Sequence, residues 1–298
     1  MKRNIPTPTK MKSMLEDFYN AHPEQLTKIL PEAMRMNPSV IVERNGRPVS
    51  VDPVSFLLQN RNIFYTGQVD EVTAELATTQ LLFLDADNPE LDITMNIASP
   101  GGVVYYGMSV IDTMNTIAAN VATLGHGLQM SMGAMTLING EPGMRFALPN
   151  SRIMIHQPSG GNQGTASIMA ESQNEIDFLK AKLLSDIVRL AGVSLEHAYW
   201  MCEQNYYMDA RKALMMGSKG IIDGILVDRY VVKPEADDGK ASKPKTESTI
   251  IRRENIDELE KYTPDVTGIY DFIKKCDSNP EFKAEVTAKA SKEIKKTK

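Results

Sequence analysis

Cysteine is scarce in this chain. Cys202 and Cys276 stand 74 positions apart and form no CxxC pair. A disulfide framework and a thiolate zinc site both lack their ligands. No run of about 18 apolar residues occurs, so no helix is expected to span a membrane. The basic start Met1-Lys2-Arg3 is followed by prolines and charges rather than an apolar segment, which argues against a secretory signal. An excess of one charge is missing too. Lys and Arg number 33 against 38 Asp and Glu, a net charge of −5, so nucleic acid and anionic membrane are not expected partners. The phosphate-binding motif G-x-x-x-x-G-K-[ST] is absent. These absences lead to the expectation of a cytoplasmic protein with no metal, cofactor, membrane or nucleic-acid partner. What is present fits a globular chain: 42% apolar residues suffice for a sizeable core.

Composition divides the chain. Residues 1–38 read as an N-terminal extension, with a short helix over Met11–Tyr19 and then Pro23, Pro31 and Pro38 as interruptions. Residues 39–232 alternate strand and helix signals and form the expected domain. Residues 233–253 turn to Lys, Pro, Asp, Ser and Gly and read as a flexible linker. Residues 254–298 carry weak helical patterning and a basic end, with six lysines against two glutamates from Lys283 onward. That end reads as a solvated tail.

Within the domain, Ile93, Met95 and Ile97 alternate with Asp92, Thr94 and Asn96, the period of a strand. Val110, Ile111, Met114 and Ile117 share a helical face. Val121–Leu124 reads as a strand, Gly125–Met130 as a turn and Met132–Ile138 as a helix. Arg152–His156 is another apolar strand. A glycine-rich stretch over Ser159–Gly164 precedes a long helix from Ala166 to Leu190. Strands alternating with helices imply an α/β class.

Three places carry candidate chemistry. Ser131, in Gln129-Met130-Ser131-Met132-Gly133-Ala134, falls between a predicted strand and a predicted helix. Free N–H groups and the positive helix end face an oxyanion forming there. The ordinary alternative is an N-cap serine. The segment is not a G-x-S-x-G elbow, because Gln129 replaces the first glycine. His156 ends a strand, and a neutral imidazole there can take a serine proton; a structural histidine is the alternative. Ser99-Pro100-Gly101-Gly102-Val103 follows a strand, and its N–H groups suit either an anionic oxygen or a plain tight turn. His22, His126 and His197 lie respectively in the Pro-broken start, a turn and a helix surface.

Together these pieces resemble the proteolytic subunit of the Clp protease family. The matching stretches include Ile63–Val69, Asn88-Pro89-Glu90, Ser99–Val103, Ser131–Ala134, Leu148–Arg152 and Met154–Pro158. Gly102, Ser131 and His156 follow one another at spacings of 29 and 25. The resemblance covers Val42–Leu226 and implies a crotonase-like fold of repeated β-β-α units, with Ala166–Leu190 as a protruding handle helix. It implies a serine endopeptidase with Ser131 as nucleophile, His156 as base, and Gly102 and Met132 as oxyanion-hole donors. Substrate would lie extended between Gly102-Val103-Val104 and Ser159-Gly160-Gly161, bound through backbone pairing. It further implies self-association into heptameric rings, stacked as a 14-mer, and an AAA+ ATPase unfoldase that supplies unfolded polypeptides.

Two positions depart from the family pattern. The third catalytic position, an aspartate in the family, is Asn205. Its amide oxygen can accept the imidazole N–H but supplies no charge to the imidazolium. The arginine just before it, used in ring-to-ring pairing, is Gln204, which leaves a single ring open. Three alternatives follow: a weakly active scaffold subunit of a mixed ring, a phage head-maturation protease, and an enoyl-CoA hydratase or isomerase of the same fold. The last would require a carboxylate base in the cleft.

Overall fold

A computed structural model describes residues 40–44, 47–161, 163–232 and 245–261, with scattered positions between 272 and 286. The helix expected over Met11–Tyr19 and most of the basic tail lie outside the described residues. A small hairpin, β1 (Val40–Arg44) and β2 (Arg47–Val51), leads into α1 (Pro53–Gln59). The central layer then builds through β3 (Asn62–Val69), α2 (Glu71–Asp87), β4 (Ile93–Gly102), α3 (Val104–Thr116), β5 (Val121–Met130) and α4 (Met132–Ile138). It continues with β6 (Arg145–Ala147), β7 (Arg152–Ile155), α5 (Ala166–Ala191), α6 (Leu195–Cys202), β8 (Tyr206–Asp209) and α7 (Ala210–Met215). β9 (Gly224–Val232), β10 (Lys245–Ile251) and a 3-10 helix (Arg253–Lys261) follow.

Eight of these strands form one sheet. β3, β4, β5, β6 and β9 lie side by side and parallel; β10 closes the edge antiparallel to β9. β7 pairs parallel with β5 and antiparallel with β8. The mostly parallel sheet flanked by helices is the α/β class expected from the sequence. The alternating Ile93, Met95 and Ile97 are fully buried, as a strand covered by helices requires. Every residue of α4 is buried, the mark of a helix inside a core. No helix among the described residues is long and apolar enough to cross a membrane.

Local chemistry sets the element ends. Asp70 and Thr73 form a capping box that starts α2. Thr165 caps α5, and Gly192, left-handed at φ 68°, ends it.

Three stretches differ from the sequence reading. Ser99–Gly102, expected to follow the strand as a tight turn, is the end of β4, because β3 offers it partners at Gln68↔Gly101 and Val69↔Gly102. Gly125–Met130, expected as a turn, continues β5, because the strand changes partner there from β6 to β7. The expected linker 233–253 holds β10 over Lys245–Ile251, with Ile251 fully buried. The 3-10 helix after it, in the expected tail, is held by Arg253. The Arg253 guanidinium donates to the carbonyls of Leu214, Met216 and Gly217 at 2.8, 2.7 and 2.9 Å.

One buried ion pair joins β6 to the start of β9. Arg145 Nη2 meets Asp223 Oδ1 at 2.6 Å and Arg145 Nε meets Oδ2 at 2.8 Å. Arg145 Nη1 donates to Leu190 O at 3.2 Å, tying in the end of α5. Replacing Arg145 with Met is expected to leave the Asp223 carboxylate without its counter-ion, held only by the backbone N–H groups of Gly143 and residue 145. Removing one partner of a buried pair costs about 3–5 kcal/mol. The urea midpoint should fall accordingly while the slope of the transition is kept; an unchanged midpoint would count against the pair as a stabilising element.

Candidate active site

Ser131 occupies the N-cap position of α4, yet its side chain makes no capping bond. Its backbone sits at φ 54°, ψ −123°, a region a non-glycine residue enters only when its surroundings hold it there. Those surroundings are visible. The Ser131 N–H donates to Met154 O at 2.8 Å, which locks the elbow to β7. Gly133 packs so closely on β4 that a Cβ there would lie 2.8 Å from Ser99 O. The strained backbone turns the hydroxyl away from the helix and toward β7. There Ser131 Oγ and His156 Nε2 are 2.9 Å apart.

His156 follows the last residue of β7 and is half-buried. Burial disfavours the imidazolium and pushes its pKa below the ordinary 6.5. The ring is therefore neutral at neutral pH, the form a general base needs.

The Ser99–Gly102 end of β4 stands directly against the elbow. Gly101 adopts φ 90°, and a Cβ on it would lie 2.5 Å from Ser131 Cβ and 3.0 Å from Met132 N. Glycine is required here by both conformation and space. Gly102, Ser131, Met132, His156 and Ser159 share one cleft of about 40 Å³. Its apolar wall is Val104, Met135, Ile155, Pro158 and Leu183. Of the expected substrate-strand residues, Gly102, Val104 and Ser159 line this cleft, whereas Val103, Gly160 and Gly161 are exposed beside it.

Asn205 immediately precedes β8. The ladder between β7 and β8 runs from Arg152↔Asp209 to Ile155↔Tyr206; continued by one step it makes His156 and Asn205 facing positions. Facing residues of an antiparallel pair present side chains on the same side. Asn205 is exposed, and among the described residues no hydrogen bond joins it to His156. The position expected from the sequence is therefore the adjacent one, but the third link is not made.

Sequence reasoning missed a polar tie beside the site. Lys180 of α5 donates to Gln157 Oε1 at 2.9 Å and to Glu203 Oε1 at 2.6 Å. Its ammonium also lies 4.3 Å from the centre of the Tyr199 ring. The bond to Glu203 raises the Lys180 pKa, and the same bond lowers that of Glu203. The tie joins the residue after His156 to the segment that carries Asn205. Lys180 lies 23 positions from each of Gln157 and Glu203, and no local pattern marks these bonds.

A strained serine at a strand-to-helix elbow, bonded to a neutral histidine and faced by the glycine end of β4, defines a hydrolase-like site on a mostly parallel sheet. The family model described as Clp protease matches residues 44–229. The chain belongs to the Clp protease family, a family of peptidases.

Proposed function

We propose that the chain is a serine endopeptidase, the proteolytic subunit of a Clp-type compartmental protease. The observation that carries this reading is the 2.9 Å contact between Ser131 Oγ and His156 Nε2, made by a serine that caps nothing. Ser131 Oγ attacks the carbonyl carbon of the scissile peptide bond. His156 Nε2 takes the hydroxyl proton, and the N–H groups of Met132 and Gly102 hold the oxyanion. As the tetrahedral intermediate collapses, the C–N bond breaks and His156 returns the proton to the leaving amine. Water, activated by the same imidazole, then cleaves the acyl-enzyme ester and releases the second fragment.

Substrate lies extended between Gly102-Val103-Val104 and Ser159-Gly160-Gly161, held by backbone hydrogen bonds that do not read side chains. Self-association into rings is supported by exposed apolar side chains on α2 and on α5–α6. Leu82, Phe83, Phe178, Leu195, Tyr199 and Trp200 are each 48–62% exposed, apolar side chains that association would cover. In this reading an AAA+ unfoldase delivers unfolded polypeptide to a cytoplasmic ring.

A second reading draws on Asn205. Exposed and unbonded to His156, it suits a weakly active subunit that scaffolds an active partner. Labelling with a fluorophosphonate, followed by mass mapping, separates the two. The peptidase reading expects one adduct on Ser131, absent from Ser131→Ala. No adduct in any assembly state would favour the scaffold.

A further inference from the structure

Gln129 stands where a G-x-S-x-G elbow has its first glycine, and the proposed mechanism gives it no task. It is fully buried. β4 and β5 pair in register from Ile93↔Val121 to Ile97↔Gly125; the register then shifts and resumes at Ser99↔Gln129. β5 therefore bulges over residues 126–128 against the single residue 98 of β4. Across the same residues β5 leaves β6 and joins β7. A bulge interrupts the ladder, and its carbonyls must find other donors.

The Gln129 side chain supplies them. Its Nε2 donates to Ile97 O on β4 at 3.0 Å and to His126 O on β5 at 2.8 Å. One amide thus spans the interruption from both sides. The carbonyl it holds on β4 lies just ahead of Ser99-Pro100-Gly101-Gly102. The carbonyl it holds on β5 lies within the bulge that leads to Ser131. Gly125 makes room, since a Cβ there would sit 2.7 Å from Gln129 Oε1. That Oε1 is buried with no hydrogen-bond partner among the described residues. An apolar side chain would fill the volume without stranding an oxygen. Such a local violation is the kind found at functional sites.

We infer that Gln129 is a positioning residue, which rests on the reading of Ser131 as nucleophile. Its amide fixes the separation between the Gly101–Gly102 end of β4 and the Ser131 elbow, and so sets the oxyanion hole. The hole acts on the transition state, so loss of the staple lowers the chemical step and leaves ground-state binding in place.

Gln129→Met keeps length and burial and removes the donors. With a fluorophosphonate probe, kinact is expected to fall about 10- to 100-fold, the scale of a sub-ångström to ångström misplacement, while KI stays within about twofold. Gln129→Glu provides a second handle. Protonated, its carboxyl can donate one hydrogen bond; ionised, it cannot. Its labelling rate should therefore fall along a rising-pH limb that the parent lacks. Parent kinact retained in Gln129→Met would overturn the inference, as would a raised KI with kinact intact. Loss of the folded state in both variants would also overturn it, leaving Gln129 a structural staple only. A parent chain that takes no label at Ser131 sinks the peptidase reading instead, so the two failures are distinguishable.

Discussion

Peptide hydrolysis by the His156→Ala protein is expected to fall at least about 10²-fold, and adding Ser131→Ala should lower it no further. In the proposed mechanism the two side chains act as one unit: the hydroxyl is nucleophilic only while the imidazole 2.9 Å away can take its proton. In a serine peptidase with a full triad, losing the histidine alone costs about 10⁶, nearly as much as losing all three residues. The floor beneath that loss is the catalysis left to the oxyanion hole and binding, about 10³ to 10⁴ over water. The expected loss is smaller here because, in the proposed reading, the third catalytic position is Asn205, which carries no charge to stabilise the imidazolium. The measurement is kcat with a fluorogenic peptide for the two single variants and the double variant. Additive losses would mean that Ser131 and His156 contribute independently, and the proposed mechanism would fail.

The elements that place this pair were legible to different degrees. β4 shows in the alternation of Ile93, Met95 and Ile97 because one set of side chains enters the core. The long helix α5 shows in its apolar spacing and ends one residue from where the pattern stops. Ser131 and His156 could be named from motif order and spacing, but each alone has an ordinary structural explanation. For Ser131 the missing cap bond and the positive φ weigh against that explanation, and neither is written in local sequence.

The misread segments share a cause. Gly125 and Gly127 look like a turn, yet β5 runs through them because new partners are available on β7. Lys245–Ile251 lies within the 233–253 stretch that reads as a flexible linker, and only pairing with β9 makes it a strand. The polar residues of the interior are the hardest to read. Arg145 is answered by Asp223, 78 positions away, and Gln129 by Ile97, 32 positions away. Such partners are set by topology, which periodicity does not report.

Restoring the carboxylate is expected to raise turnover by between about 10-fold and about 10⁴-fold, the upper bound being what an Asp-to-Asn change costs in a chymotrypsin-type triad. The register of β7 and β8, continued by one step beyond Ile155↔Tyr206, sets position 205 opposite His156, so Asn205→Asp puts the carboxylate at the facing position. A carboxylate there would hold the tautomer with Nδ1 protonated and Nε2 free to accept from Ser131. It would also stabilise the imidazolium formed on proton transfer. The pH dependence carries an independent sign. Burial holds the His156 pKa below 6.5 in the parent, so the acidic limb of kcat/KM should lie below that pH. A nearby anion favours the protonated ring and raises its pKa, so the limb of Asn205→Asp should move to higher pH as the plateau rises. The two expected effects are linked. If the full unit is worth about 10⁶, the gain in Asn205→Asp and the loss in His156→Ala should multiply to about that figure. A gain with no movement of the limb would place the benefit outside the imidazole. No gain at all would mean that Asn205 is not the site of the missing charge.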